Sequence, residues 1–150
     1  MSANSRLTVA THILAWMALV ARDRPDDPVT SERIAASVKT NPVVIRRTLG
    51  YLAKAGLVQS YRGVNAGWRL AKPADDISLL DVFDALEEGP QFALHATQPS
   101  QRCPVGRGVG PTLSRVYDSI DEAVRNTLAA KTISAVLAET METQRSKTSR

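Results

Sequence analysis

Between positions 30 and 71 the local folding signals follow one another so closely that few architectures can satisfy them all. Thr30 is an N-cap residue, and Glu32 falls in the first turn that follows, where the helix dipole favours an acid. Ile34, Ala35 and Val38 share one face of the short helix this starts. Asn41 is a second N-cap, and Pro42 follows at the first helical position, where its missing N–H costs nothing. Ile45, Leu49 and Leu52 are spaced by four and three, so the helix over 42–55 buries one face, and Gly56 stops it. Residues 57–61 read as a short strand, 62–67 as a turn and 68–71 as the returning strand.

The flanks read as helix. Residues 5–21 are apolar almost all round, which predicts a helix buried on more than one side. Their apolar run is short of the roughly 20 residues of a bilayer span. Arg6 before it and Ala21 after it suit a secretory signal, but His12 interrupts it and Arg-Asp-Arg-Pro follows without a small-x-small cleavage site, which favours a buried helix. Ser78 caps a helix that carries Leu79, Leu80, Val82, Phe83 and Leu86 and ends near Gly89. Residues 89–111, rich in Gly and Pro and without periodicity, predict a loop. Over 112–130, Leu113, Val116, Tyr117, Ile120, Val124 and Leu128 form one helical stripe. Thr132 caps a short last helix, and the polar basic tail reads as frayed.

These elements predict a mainly α fold with a small β-hairpin wing. A winged helix-turn-helix domain would span 1–89, a linker or sensor loop 90–111, a long dimerisation helix and short terminal helix 112–140, and a disordered basic tail 141–150. Aromatic residues make up only 5% of the chain, which suits a helical core of Leu, Val, Ile and Ala.

The overall net charge of +4 conceals a segregation. Residues 29–72 hold eight basic side chains (Arg33, Lys39, Arg46, Arg47, Lys54, Arg62, Arg69 and Lys72) against one acid, Glu32, while 73–88 hold six acids and no base. The basic stretch coincides with the helix–turn–helix–hairpin. A second helix of this kind docks in the major groove of DNA while basic groups around it meet phosphates. With Ile45, Leu49 and Leu52 inward, Val43, Val44, Arg46, Arg47 and Tyr51 are left more exposed. Two arginines and small apolar groups there suit guanine edges and thymine methyls. The competing reading of these arginines is an ordinary solvated helix face.

The stretch from 30 to 89 also resembles the Rrf-two (BadM-type) family of bacterial winged-helix transcriptional regulators. The carrying residues are L-x-K-A-G-L-V-x-S over 52–60 and the wing R-G-V-N-A-G-W-R-L-A over 62–71. Ala66 departs from the family's usual glycine and predicts a somewhat different turn at the wing tip. The resemblance implies that Arg62 enters the minor groove and that Asn41, Val43, Val44, Arg46 and Arg47 open the recognition helix. Arg69 and Tyr51 are candidates for phosphate contacts. It also implies a homodimer seam along Leu113, Val116, Tyr117, Ile120, Val124 and Leu128, which the first helix could join.

Cluster-binding members of that family place three cysteines in the linker. This chain has one, Cys103, matching the last of the three; a downstream histidine ligand position corresponds to Gly106. One thiol supports neither an iron–sulfur cluster nor a structural zinc site nor a disulfide framework, so no metal or other cofactor is expected and the reducing cytoplasm is the expected compartment. Cys103 then has two readings. Beside Arg102 and Arg107 it could act as a redox-sensing thiol; the competing reading, which is how a lone cysteine usually behaves, is a small buried hydrophobe that anchors the linker. Trp16 and Trp68 are expected to pack the core and the wing base.

The expected function is a sequence-specific DNA-binding transcriptional regulator: a homodimeric repressor on a palindromic operator, with double-stranded DNA and its own second copy as partners and no membrane partner. A small-ligand-responsive or constitutive regulator with a structural cysteine is the alternative. A thiol enzyme and a protein-binding adaptor are more remote, because Cys103 has only His12 and His95 to serve as a base.

Overall fold

The structure is a computed structural model and describes residues 5–148. Six helices and one hairpin follow in order: α1 (Ser5–Asp23), α2 (Ser31–Val38), α3 (Pro42–Lys54), β1 (Val58–Tyr61), β2 (Gly67–Leu70), a 3-10 turn (Ala74–Asp76), α4 (Leu79–Ala85), α5 (Pro104–Ala129) and α6 (Ile133–Thr148). This is the mainly helical, winged architecture with a long C-terminal helix that the sequence predicts.

The caps act as expected. The Thr30 hydroxyl accepts from the Arg33 N–H, and Asn41 Oδ1 accepts from the Val43 N–H at 2.9 Å. Ser78 and Asp81 form a reciprocal capping box on α4. Helix α4 stops before Gly89, however; its end turns at Glu87, which takes a φ of 53°.

Ile13, Leu14, Met17, Ile34, Ile45, Leu49, Leu52, Leu57, Ile77, Val82, Leu86 and Ile133 form one buried core. Helix α1 lies at its centre and packs on α2, α3, α4, β2 and α6. Leu7, Val9, Ala15, Trp16 and Leu19 of α1 pack against the same core. Helix α1 thus spends most of its apolar surface inside its own chain, while Leu7, Val9, Trp16, Leu19 and Val20 stay half-buried.

The hairpin pairs Val58 with Leu70 and Tyr61 with Gly67. Val29 joins it as a third, one-residue strand by exchanging both backbone hydrogen bonds with Trp68 at 2.8 and 2.9 Å. Ala66 causes no strain, because the positive φ angles of the wing fall on Gly63 and Gly67. Trp16 and Trp68 pack against the core as anticipated.

The acidic stretch has a structural use. Glu88 pairs with Arg6 of α1 at 3.2 Å, Glu87 with Lys54 of α3 at 2.8 Å, and Asp84 with Arg125 of α5 at 2.8 Å. One end of α4 thus touches three other helices.

Two boundaries differ from expectation. The loop after Gly89 ends at Cys103 rather than 111, because α5 begins at Pro104, again with proline in the first turn. Helix α6 runs on to Thr148, so the tail expected to be disordered is helical as far as it is described; residues 149 and 150 lie outside the described residues. Two features accompany that extension. Thr140, Thr143, Ser146 and Thr148 each donate to the carbonyl four residues back. Glu139 and Glu142 also precede Arg145 and Lys147, the order that suits the helix dipole.

Candidate nucleic-acid interface

Helices α2 and α3 are joined by a turn at Lys39, whose left-handed φ of 57° lets the Thr40 N–H reach back to the Ala35 carbonyl. Burial of Ile45, Leu49 and Leu52 then fixes which face of α3 is free. Asn41, Val43, Arg46, Arg47, Gly50 and Lys54 are exposed. From Val43 onward these positions recur at helical spacing, so they form one strip along α3.

The side chains on that strip are not equivalent. Val43 is 49% exposed at the N-terminal end. Val44 is half-buried, and its carbonyl accepts from the Thr48 hydroxyl. The Arg46 guanidinium lies 3.5 Å from Glu32 of α2, a loose exposed pair that a phosphate or guanine can displace cheaply. Arg47 is exposed and makes no ion pair or hydrogen bond with a described residue. Asn41 has committed its oxygen to the cap and keeps its amide N–H groups.

The wing presents Arg62, exposed and likewise without a partner among the described residues, beside Val64, which is fully exposed at the tip. Two candidates fall elsewhere. Arg69 folds back: its guanidinium donates to the Asp26 carbonyl and lies 4.5 Å over the Tyr61 ring, so it braces the wing base rather than facing outward. Its place in the hairpin, opposite Gln59, turns it that way. Tyr51 packs against the core with the Arg6 guanidinium 5.2 Å over its ring. Both therefore leave the outward-facing set.

Two members of the exposed surface escaped sequence reasoning. Gly50 lies in mid-strip, where glycine costs a helix about 0.5–1 kcal/mol relative to alanine. A Cβ there would meet nothing within 4 Å, so internal packing does not require the glycine. A glycine in a helix interior was the available signal. Val64 lies within the turn read over 62–67, where no local signal marks an exposed apolar residue.

Beyond α4 the chain changes character. None of the 26 residues of α5 is buried, although Leu113, Val116, Tyr117, Ile120, Val124 and Leu128 align along it. Val116 is 48% and Leu113 36% exposed. Tyr117 is partly covered by Phe92 of the preceding loop, their ring centroids 5.4 Å apart. Among the named elements α5 packs chiefly on α4.

Cys103 is the N-cap residue of α5, and its thiol is exposed. The buried-anchor reading is thereby corrected: the loop of 90–102 does not fold over it. His95 is exposed and accepts from the Thr97 N–H within its own turn. A side chain at Gly106 would put its Cβ 2.3 Å from the Ser100 carbonyl oxygen, so no ligand side chain fits there. No group of three or more His, Cys, Asp or Glu among the described residues could hold a metal ion. The residues present do not fit an iron–sulfur cluster, which typically takes four ligands. No described helix is long and apolar enough to cross a membrane.

Comparison with known proteins adds four findings. The model of a family named Rrf2 and described as an iron-dependent transcriptional regulator matches residues 3–139. YwnA of Bacillus subtilis, named as an HTH-type transcriptional regulator, is 41% identical over 135 residues, covering 89% of this chain and 96% of YwnA. A crystal structure described as a DNA-binding protein matches at 36% identity with a TM-score of 0.69, covering 88% of this chain and 98% of that one. A transcriptional regulator from Lactobacillus plantarum matches at 25% identity with a TM-score of 0.74, covering 97% and 98%.

Proposed function

The chain belongs to the Rrf2 family of transcriptional regulators, and from that premise we propose that it is a homodimeric repressor reading a palindromic operator through α3 and the wing. The family and its relatives are regulators rather than enzymes, which sets the thiol-enzyme reading aside. The observation that carries the proposal is the exposed strip of α3 continued by the wing, where Arg47 and Arg62 stand unpaired. Arg46 and Val43 reach base edges, Arg62 enters the adjacent minor groove, and the Asn41 amide contacts the backbone.

The dimer rests on α5. An amphipathic helix with no buried residue leaves its apolar stripe in water unless a second copy covers it. Two copies related by a two-fold axis would present two recognition helices to half-sites about one helical turn, roughly 34 Å, apart.

The reading includes no resident cluster; the misfit at Gly106 and the single cysteine support that. Exposure of Cys103 at the start of the dimer helix supports a redox input. Peroxide would oxidise the thiol to a sulfenic acid and be reduced to water, which adds a polar group where α5 begins.

Selection of bound duplexes from a random pool, with reduced and peroxide-treated protein, tests the whole reading. The expected result is an inverted-repeat motif whose enrichment falls on oxidation and is restored to insensitivity by Cys103→Ser. Recovery of no motif overturns the regulator reading, and equal enrichment before and after oxidation overturns the redox input.

A further inference from the structure

A cleft of about 500 Å³ opens where the last turn of α1, the end of β2, the 3-10 turn and the first turn of α6 meet. Its volume lies within the roughly 300–1,000 Å³ range of small-molecule sites. No candidate DNA-contacting residue lines it. Ala18, Leu70 and Leu137 supply apolar surface, while Arg22, Lys72, Asp75 and Ser134 supply the polar groups. None of these four side chains makes a hydrogen bond or ion pair with a described residue. Lys72 and Asp75 are close in sequence and still unpaired. By contrast, the acids at the end of α4 are tied to basic partners on three helices.

Two cations, one carboxylate and a hydroxyl around an apolar surface complement a ligand that itself carries both charges. A simple carboxylate would leave Asp75 facing an anion, and a simple amine would leave Arg22 and Lys72 facing a cation. Either mismatch sets like charges beside each other. We propose that this cleft binds a free aliphatic α-amino acid. Its carboxylate pairs with Arg22 and Lys72 and accepts from the Ser134 hydroxyl, its ammonium pairs with Asp75, and its side chain lies on Ala18, Leu70 and Leu137. The walls belong to the wing strand β2 and to α6, so an occupant bridges the two.

Calorimetric titration of the full-length protein, with no DNA present, tests this apart from any regulatory role. The probes are L-leucine, 4-methylpentanoate, which lacks the ammonium, and 3-methylbutylamine, which lacks the carboxylate. L-Leucine is expected to bind with a dissociation constant below about 1 mM, and both analogues at least about tenfold more weakly. Asp75→Asn should reduce L-leucine to the level of 4-methylpentanoate. Arg22→Gln with Lys72→Gln should abolish L-leucine binding while the circular dichroism melt is retained. No heat with L-leucine, equal binding of L-leucine and 4-methylpentanoate, or undiminished binding by the double variant would overturn the proposal; the two analogue titrations use the unaltered protein and stand even if a variant fails to fold.

Discussion

A Cβ added to Gly67 would stand 2.8 Å from the Val29 carbonyl oxygen, the same oxygen that accepts the Trp68 N–H at 2.8 Å. The wing is thus held to the segment before α2 by a contact that only glycine permits, and Gly67 also takes a φ of 152°. Gly67→Ala is expected to destabilise the fold by about 1–3 kcal/mol in chemical denaturation and to weaken operator binding as the wing shifts. A variant as stable as the parent would show that the bridge to Val29 is dispensable.

Gly50 predicts the opposite sign for stability. With open space around its Cβ position, Gly50→Ala should stabilise the protein by about 0.5–1 kcal/mol. The added methyl stands on the α3 strip, so operator affinity should fall while the melting temperature rises. Gain of stability with full affinity would remove Gly50 from the interface.

The Lys54–Glu87 pair gives a pH signature. The Lys54 hydrogen bond, and then its charge, hold the Glu87 carboxyl below its ordinary value. A lowered folded-state value means that the contribution is present above the unfolded-state value of about 4.3 and is lost as pH falls through the lowered one. Both groups are fully exposed, so salt should weaken the effect. In stability measurements from pH 7 to pH 2, the gap between the parent and Glu87→Gln should close in the acid range. A gap that persists at pH 2 would point to packing rather than charge.

The α5 stripe predicts the state of assembly. Sedimentation should give twice the chain mass, and Val116→Asp with Ile120→Asp should give the single chain with its helical content kept. These residues pack on no core of their own chain, so the substitutions should separate the copies without unfolding either. A parent protein that sediments as one chain would contradict the dimer.

Legibility followed locality. The caps at Thr30, Asn41 and Ser78, the buried triplet of α3 and the hairpin depend on neighbours in sequence, and all were readable there. The start of α5 was hidden because Gly106, Gly108, Gly110 and Pro111 argue against helix; Gly106 is instead needed for close passage of the Ser100 carbonyl. The length of α6 was hidden because residues 142–148 carry no apolar side chain to continue its stripe. Arg69 and Tyr51 looked outward on charge and type, but Asp26, Tyr61 and Arg6 come to them from distant positions. The cleft of Arg22, Lys72, Asp75 and Ser134 brings together three separate stretches of chain that no local pattern connects.

The central claim is that Arg46, Arg47 and Arg62 read the operator. Fluorescence anisotropy on the selected operator and on a scrambled duplex, each at low and physiological salt, measures it most directly. The parent is expected to bind the operator in the range of about 10⁻⁸–10⁻¹¹ M at physiological salt, with affinity falling steeply as salt rises. Each alanine should cost about 1–3 kcal/mol, and the triple variant should bind both duplexes alike. Undiminished preference of the triple-alanine protein for the operator would contradict the account.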